Sequence, residues 1–225
     1  MGITLAFDVY GTLIDTSGIA KALERHAGPK TQVFTAMWRD KQLEYSFRRG
    51  LMQNYRHFAE CTRNALDYCC TVLGIEIAEP DRLALMAEYK VLPAYDDARM
   101  ALDILEKAGF RLFAFSNGRA EDVAGLLKHA GIEHHFQDVI STDEIKSFKP
   151  NPAVYAHFLR RAGASGQEAW LVSGNPFDVI GAISAGLRGA WVKRLATAVF
   201  DPWEIQPTLV VSDLGQLLPG LTARG

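Results

Sequence analysis

Residues 5–15 run Leu5-Ala6-Phe7-Asp8-Val9-Tyr10-Gly11-Thr12-Leu13-Ile14-Asp15. An apolar run meets a lone acid, then Gly-Thr. A short strand buried on both faces accounts for the run. A loop at its carboxyl end accounts for the acid. In an open parallel α/β sheet, ligands bind just beyond those strand ends. This stretch therefore asks for such a sheet and puts Asp8 where its ligand would be.

The rest of the chain falls into two parts. From Asp15 to about Lys90 the pattern is helical. Ser17 is placed to cap a helix through Ala27, stopped by Gly28-Pro29. Thr31 to Arg49 makes a longer helix, with Gly50 after it. Tyr55, Phe58, Ala59, Thr62, Ala65, Leu66, Cys69 and Leu73 follow helical spacing up to Gly74. Pro80-Asp81 opens a fourth helix.

From Leu92-Pro93 onward, strands and helices alternate. Strands are expected at Phe110–Phe115, Val139-Ile140, Trp170–Ser173, Ala190–Val192 and Thr208–Val211. Helices are expected around Ala98–Ala108, Val123–Ala130, Pro152–Ala162 and Asp178–Ala185. The fold class is α/β: a Rossmann-like parallel sheet core with an inserted four-helix cap. The core takes residues 1–14 and 92–225, the cap 15–91. Both ends of the insert lie near Asp8, so it can form a lid.

Charge narrows the partners. With 24 Lys and Arg against 26 Asp and Glu, the net charge of -2 gives no support for nucleic-acid or membrane-surface binding. No apolar run is long enough to span a bilayer. Met1-Gly2 leads straight into a strand, so no signal peptide and a cytoplasmic location are expected. Ala6 stands where a myristoylation motif wants Ser or Thr. Cys61, Cys69 and Cys70 are expected as reduced, buried thiols.

Four polar points follow separate strands: Asp8 to Thr12, Ser116-Asn117-Gly118, Lys149-Pro150, and Ser173-Gly174-Asn175 to Asp178. Each has a bland reading. Ser-Asn-Gly is ordinary turn chemistry, a Lys before Pro is usually solvated, and Asn175 and Asp178 can be caps. Parallel strands bring all four to one edge, and that convergence favours a functional site. His134-His135 is not expected to hold a metal, because adjacent side chains point apart. Trp191 and Trp203 are expected as packing residues.

The order acid-x-x-Gly-Thr, Ser-Asn-Gly, Lys-Pro and an acid-bearing loop resembles the haloacid dehalogenase superfamily. Within it the chain resembles the L-2-haloacid dehalogenases over nearly its whole length. Trp38-Arg39-Asp40-Lys41-Gln42-Leu43-Glu44-Tyr45 is similar to a lid segment of that family. Phe148 to Tyr155 and Val172 to Asp178 are similar to two of its core segments. The resemblance implies Asp8 as nucleophile, with Lys149 as its countercharge and Thr12 and Ser173 orienting its oxygens. Arg39 and Asn117 would cradle the departing halide. Ser116 and backbone N–H groups after Asp8, at Tyr10 and Gly11, would hold the substrate carboxylate. Asn175 and Asp178 would orient water, with Tyr155 in support. Tyr10, Gln42, Leu43, Phe58 and Phe177 would line an apolar pocket, although plain lid core is the commoner fate for Leu43 and Phe58. No cofactor or metal is implied. The partner is a small 2-haloacid, and a homodimer is possible.

Three departures stand out. Gly174 replaces a serine of the family loop, and Pro176-Phe177 replaces a small residue followed by Trp. Superfamily phosphatases carry a second acid where this chain has Tyr10. A magnesium-dependent phosphatase is thus the alternative reading, and a non-catalytic binding protein the third.

Overall fold

The computed structural model describes residues 2–223, so the expected core limits at Met1 and Gly225 lie outside them. The chain begins with β1 (Thr4–Phe7). The next elements are α1 (Ser17–Ala27), α2 (Thr31–Leu51), α3 (Phe58–Leu73) and α4 (Glu79–Glu88). Then come α5 (Ala98–Lys107), β2 (Arg111–Ser116), α6 (Ala120–His129), β3 (Asp138–Ser141) and α7 (Pro152–Ala162). The chain closes with β4 (Ala169–Ser173), α8 (Pro176–Ser184), β5 (Arg188–Val192), β6 (Leu209–Val211) and α9 (Leu217–Thr222). No helix among the described residues is long and apolar enough to cross a membrane.

The six strands form one sheet in the order β3-β2-β1-β4-β5-β6, and every adjacent pair is parallel. The order reverses between β1 and β4. In such sheets the ligand crevice opens at that point, beyond the carboxyl ends. Asp8 follows β1 and Ser173 ends β4, so the reversal brings them side by side. One face of the sheet buries Ala6, Phe113, Phe115 and Leu171 against Tyr155, Phe158 and Ala182 of α7 and α8. The other buries Leu5, Phe7 and Leu112 in a cluster with Leu102, Leu127 and Leu217. That cluster continues into the helical insert through Ile19, Leu23, Phe34, Trp38, Leu66 and Leu85.

The insert leaves and rejoins the sheet at one place. Ile14 bridges Ala94 antiparallel, and the Asp15 N–H donates to the Pro93 carbonyl at 2.9 Å. Several sequence expectations need correction. Ser17 does not cap α1. It lies inside the first turn, and Asp15 accepts from both its N–H (2.8 Å) and its hydroxyl (2.9 Å). Helix α8 starts at Pro176, two residues ahead of Asp178, because a proline suits the first helical position. The short α9 was not anticipated, since Pro219 and Gly220 read as breakers. His134 and His135 do not point apart: in a tight turn their ring centres lie 4.0 Å apart, and buried His135 pairs with Glu106 at 2.9 Å. Trp203 is exposed, whereas Trp191 is buried and meets Phe200.

Candidate active site

Asp8 is the first residue past β1. Its N–H donates to the Val172 carbonyl of β4 at 3.0 Å, so the strand pairing fixes its backbone. The chain then folds back sharply. The N–H groups of Thr12, Leu13 and Ile14 all donate to the Val9 carbonyl. Gly11 has φ +77, a left-handed conformation that side chains disfavour, and this explains glycine at the centre of the turn. The turn carries the Thr12 hydroxyl back to the acid.

The Asp8 carboxylate is gripped from several sides. The Thr12 hydroxyl donates to Oδ2 at 2.7 Å, and Asn175 Nδ2 donates to the same oxygen at 2.9 Å. Lys149 Nζ donates to Oδ1 at 3.2 Å. The Thr12 hydroxyl in turn accepts from the Gly174 N–H at 2.8 Å, which joins the β1 and β4 loops. Asn175 occupies the N-cap position of α8 but makes no side-chain cap bond. Its amide is diverted from helix capping to the acid.

Lys149 is fully buried and also donates to Asp178 Oδ2 at 2.8 Å and to the Phe115 carbonyl at 2.8 Å. Tyr155 donates its hydroxyl to Asp178 Oδ1 at 2.8 Å. Burial disfavours the Lys149 ammonium, but the charges of Asp178 and Asp8 outweigh it and hold the lysine above its ordinary value. Burial raises Asp178, and the Asp8 charge adds to the rise, while Lys149 opposes it. Burial and the Asp178 charge push the Tyr155 hydroxyl far up, so it stays a donor. Two carboxylates thus share one cation out of water.

Asn117 Oδ1 accepts from the Lys149 N–H at 2.9 Å and from the Thr142 hydroxyl at 3.2 Å, which directs its amide nitrogen the other way. The Ser116 hydroxyl, at the end of β2, accepts from the Gly118 N–H at 3.1 Å. Ser173 departs from expectation: its hydroxyl accepts from the Asn175 N–H at 3.1 Å rather than bonding Asp8. It shapes the loop that presents Asn175.

Arg39 reaches across from α2. Its guanidinium donates to Asn175 Oδ1 at 3.1 Å and to Gln42 Oε1 at 2.7 Å. Gln42 is anchored by its own donation to the Thr62 hydroxyl at 2.6 Å. Burial pushes Arg39 below its ordinary value, and the charges of Tyr89 and Asp8 work against that. A guanidinium stays charged under such a shift.

Beyond Arg39 lies a cavity of about 110 Å³ whose lining includes Tyr10, Trp38, Arg39, Gln42, Phe58 and Tyr89. A single water takes roughly 10–15 Å³ on this measure, so there is room for a ligand of several heavy atoms. Asp8, Ser116 and Asn117 do not line this cavity; Arg39 does, and it joins Asp8 through hydrogen bonds by way of Asn175. Leu43 and Phe177 are not among the lining residues. Phe177 instead packs its ring on Phe47, with centres 5.2 Å apart. Sequence reasoning missed Trp38 and Tyr89, whose rings meet at 5.7 Å; an aromatic on a helix face signals core as readily as pocket. Tyr10 packs edge-on to Tyr89, and burial, then the Asp122 charge, push its phenol well up.

Gly174 has a steric reason. A Cβ there would lie 2.4 Å from the Gly11 carbonyl oxygen, a backbone atom. A side chain at this position would require the two loops to move apart.

Residues 4–186 match the family of haloacid dehalogenase-like hydrolases. The chain is 36% identical over 207 residues to haloacetate dehalogenase H-2 of Moraxella sp. (strain B), covering 92% of each protein. It is 35% identical to (S)-2-haloacid dehalogenase 2 of Pseudomonas sp. (strain CBS-3), covering 95% of this chain and 93% of that one. The structure of L-2-haloacid dehalogenase from Xanthobacter autotrophicus with chloropropionic acid covalently bound superposes with TM-score 0.89 at 34% identity, covering 100% of this chain and 99% of that one. With its sheet, insert and loop order in place, the chain belongs to the haloacid dehalogenase-like hydrolase family.

Proposed function

We propose that this protein hydrolyses short-chain (S)-2-haloacids to (R)-2-hydroxyacids through an ester on Asp8, without a metal. The carrying observation is the grip on Asp8: Lys149 on one oxygen, Thr12 and Asn175 on the other, with lid-borne Arg39 reaching the same asparagine. The covalent adduct named for the Xanthobacter autotrophicus relative supports this reading. We take residues 15–91 as the lid and 1–14 with 92–225 as the core.

In the first step an Asp8 oxygen bonds to the halogen-bearing carbon from the rear. The carbon–halogen bond breaks, and its electron pair leaves with the halide. A carboxylate is a weak nucleophile, so it must be aligned and shielded from water. Thr12, Asn175 and Lys149 align it. Arg39 and the Asn117 amide offer donors to the halide as negative charge develops. Ser116 and the Tyr10 N–H hold the substrate carboxylate; the Gly11 N–H, expected beside them, is taken by the Ile14 carbonyl at 2.9 Å.

In the second step water attacks the Asp8 ester carbonyl. The bond from that carbonyl carbon to the ester oxygen breaks; Asp178 passes one water proton to the departing hydroxyl oxygen, and the other leaves to solvent as Asp8 returns to its carboxylate. Asp8 keeps one oxygen from the water. The substrate carbon is not touched again, so its configuration stays inverted.

A magnesium-dependent phosphatase fits less well. Phosphoryl transfer benefits from an acid for the leaving alcohol, and the position two residues after the nucleophile holds Tyr10, whose phenol keeps its proton. The relatives' names also point away from it.

The test is halide release from an L-2-haloacid in the presence of a chelator. Release of phosphate from a generic ester with magnesium, and no halide, would sink the proposal. In heavy-oxygen water, the first turnover should leave the label on Asp8 and not in the product. Label in the product of the first turnover would mean that water attacks the substrate directly. Asp8→Asn should abolish turnover, and Tyr10→Asp should not create a good phosphatase.

A further inference from the structure

Arg194 follows β5 by two residues, at the same edge of the sheet as Asp8. Its guanidinium donates to the Thr12 carbonyl at 2.5 Å. Another of its nitrogens donates to Asp97 Oδ2 at 2.6 Å, and the Leu214 N–H donates to that same oxygen at 2.7 Å. The guanidinium lies 3.9 Å from the centre of the Tyr95 ring. The Tyr95 N–H donates to the Leu13 carbonyl at 2.9 Å, so ring and ion pair are tied to the turn after Asp8.

Thr12 is therefore held from both ends. Its carbonyl is fixed by Arg194, and its hydroxyl lies between the Gly174 N–H and Asp8 Oδ2. With the backbone fixed, the threonine hydroxyl is left a few staggered positions, and the Gly174 N–H selects the one that faces Asp8. The geometry points to Arg194 as a positioning residue that holds the Thr12 hydroxyl on the nucleophile. This role rests on the reaction proposed above.

The pair is poorly explained as a stability device. Arg194 Nε and Asp97 Oδ1 are both buried and find no protein partner. Such orphans cost free energy, and the ion pair itself is only part-buried, so little stability is credited to it. Strained or costly groups tend to survive where they serve a site. No motif in the sequence marks Arg194, because it lies in an irregular segment between β5 and β6.

The test is a double-mutant cycle on halide release. Arg194→Met should lower kcat about tenfold and leave KM within about twofold, because the loss falls on alignment in the transition state. Arg194→Lys, which keeps a donor, should recover most of the rate. It also remains informative if the Met variant folds poorly. In a Thr12→Val background, Arg194→Met should cost under about twofold, since the hydroxyl it positions is gone. Multiplicative losses, a KM effect alone, or full activity in Arg194→Met would each overturn the assignment while leaving the dehalogenase reading intact. A wild-type enzyme that releases no halide would overturn both.

Discussion

Lys149 Nζ stands 2.8 Å from Asp178 and 3.2 Å from Asp8, so the lysine is held more closely by the acid that is not the proposed nucleophile. Removing it leaves two buried carboxylates facing each other. Breaking a buried pair costs about 3–5 kcal/mol. Lys149→Met should lose halide release and lower the urea midpoint by a corresponding amount. Lys149→Arg should not restore activity, because a planar fork cannot fill the place of a compact ammonium. Retention of wild-type stability in Lys149→Met would contradict the shared-cation picture.

Asn175 serves Asp8 and Arg39 at once, by donation at 2.9 Å and acceptance at 3.1 Å. A hydrogen bond to a charged group is worth about 1.5–3 kcal/mol. Asn175→Ala should therefore lower kcat by roughly ten- to a hundredfold, by the transition-state conversion of about 1.4 kcal/mol per tenfold. Steady-state kinetics would show it, and an unchanged kcat would remove Asn175 from the grip on Asp8.

Gly174→Ser puts in the residue that the resemblance leads one to expect, yet it should harm this protein. The new Cβ meets the Gly11 carbonyl oxygen at 2.4 Å. Overpacking of this kind costs about 1–3 kcal/mol. Urea denaturation should show that loss, with slower turnover because the Gly174 N–H also supports Thr12. A neutral substitution would show that the loops separate freely.

Alkali should weaken the fold. Burial pushes the Tyr89 phenol up to about 12. Lys149 is also raised, with Asp178 and Asp8 outweighing burial. Both groups keep protons that the unfolded chain releases from about pH 10. The native state then binds more protons than the unfolded one, so stability falls as pH rises through the folded values. Below that window the contribution is complete. The urea midpoint should drop between about pH 10 and 12, and Tyr89→Phe should flatten the drop. A flat midpoint in the wild type would count against both shifts.

The sheet was legible because its strands are short apolar runs that end at polar residues, as at Phe7-Asp8 and Ser116-Asn117. The loops met because parallel strands leave no other choice. What stayed hidden depended on side-chain direction. Ser173 lies beside Asp8 in any reading of the order of loops, but only the fold shows its hydroxyl turned to the Asn175 N–H. Asn175 looked like a cap by position, and its amide points elsewhere. Leu43 and Trp38 share a lid segment, yet helix geometry puts Trp38 on the cavity side. Arg194 carries no local signal, since its partners Thr12 and Asp97 lie far away along the chain.

The single cation between two acids also sets a timing. With both carboxylates ionised, the cluster of Asp8, Asp178 and Lys149 has one negative charge too many, and Asp8 raises Asp178 by repulsion. On the proposed path, ester formation erases the charge on Asp8. The repulsion vanishes, and Lys149 is left with Asp178 as its sole counter-ion in the cluster. Asp178 is then best able to stay ionised at the moment when a water must be stripped of its proton. Forming the ester would switch on the group that resolves it.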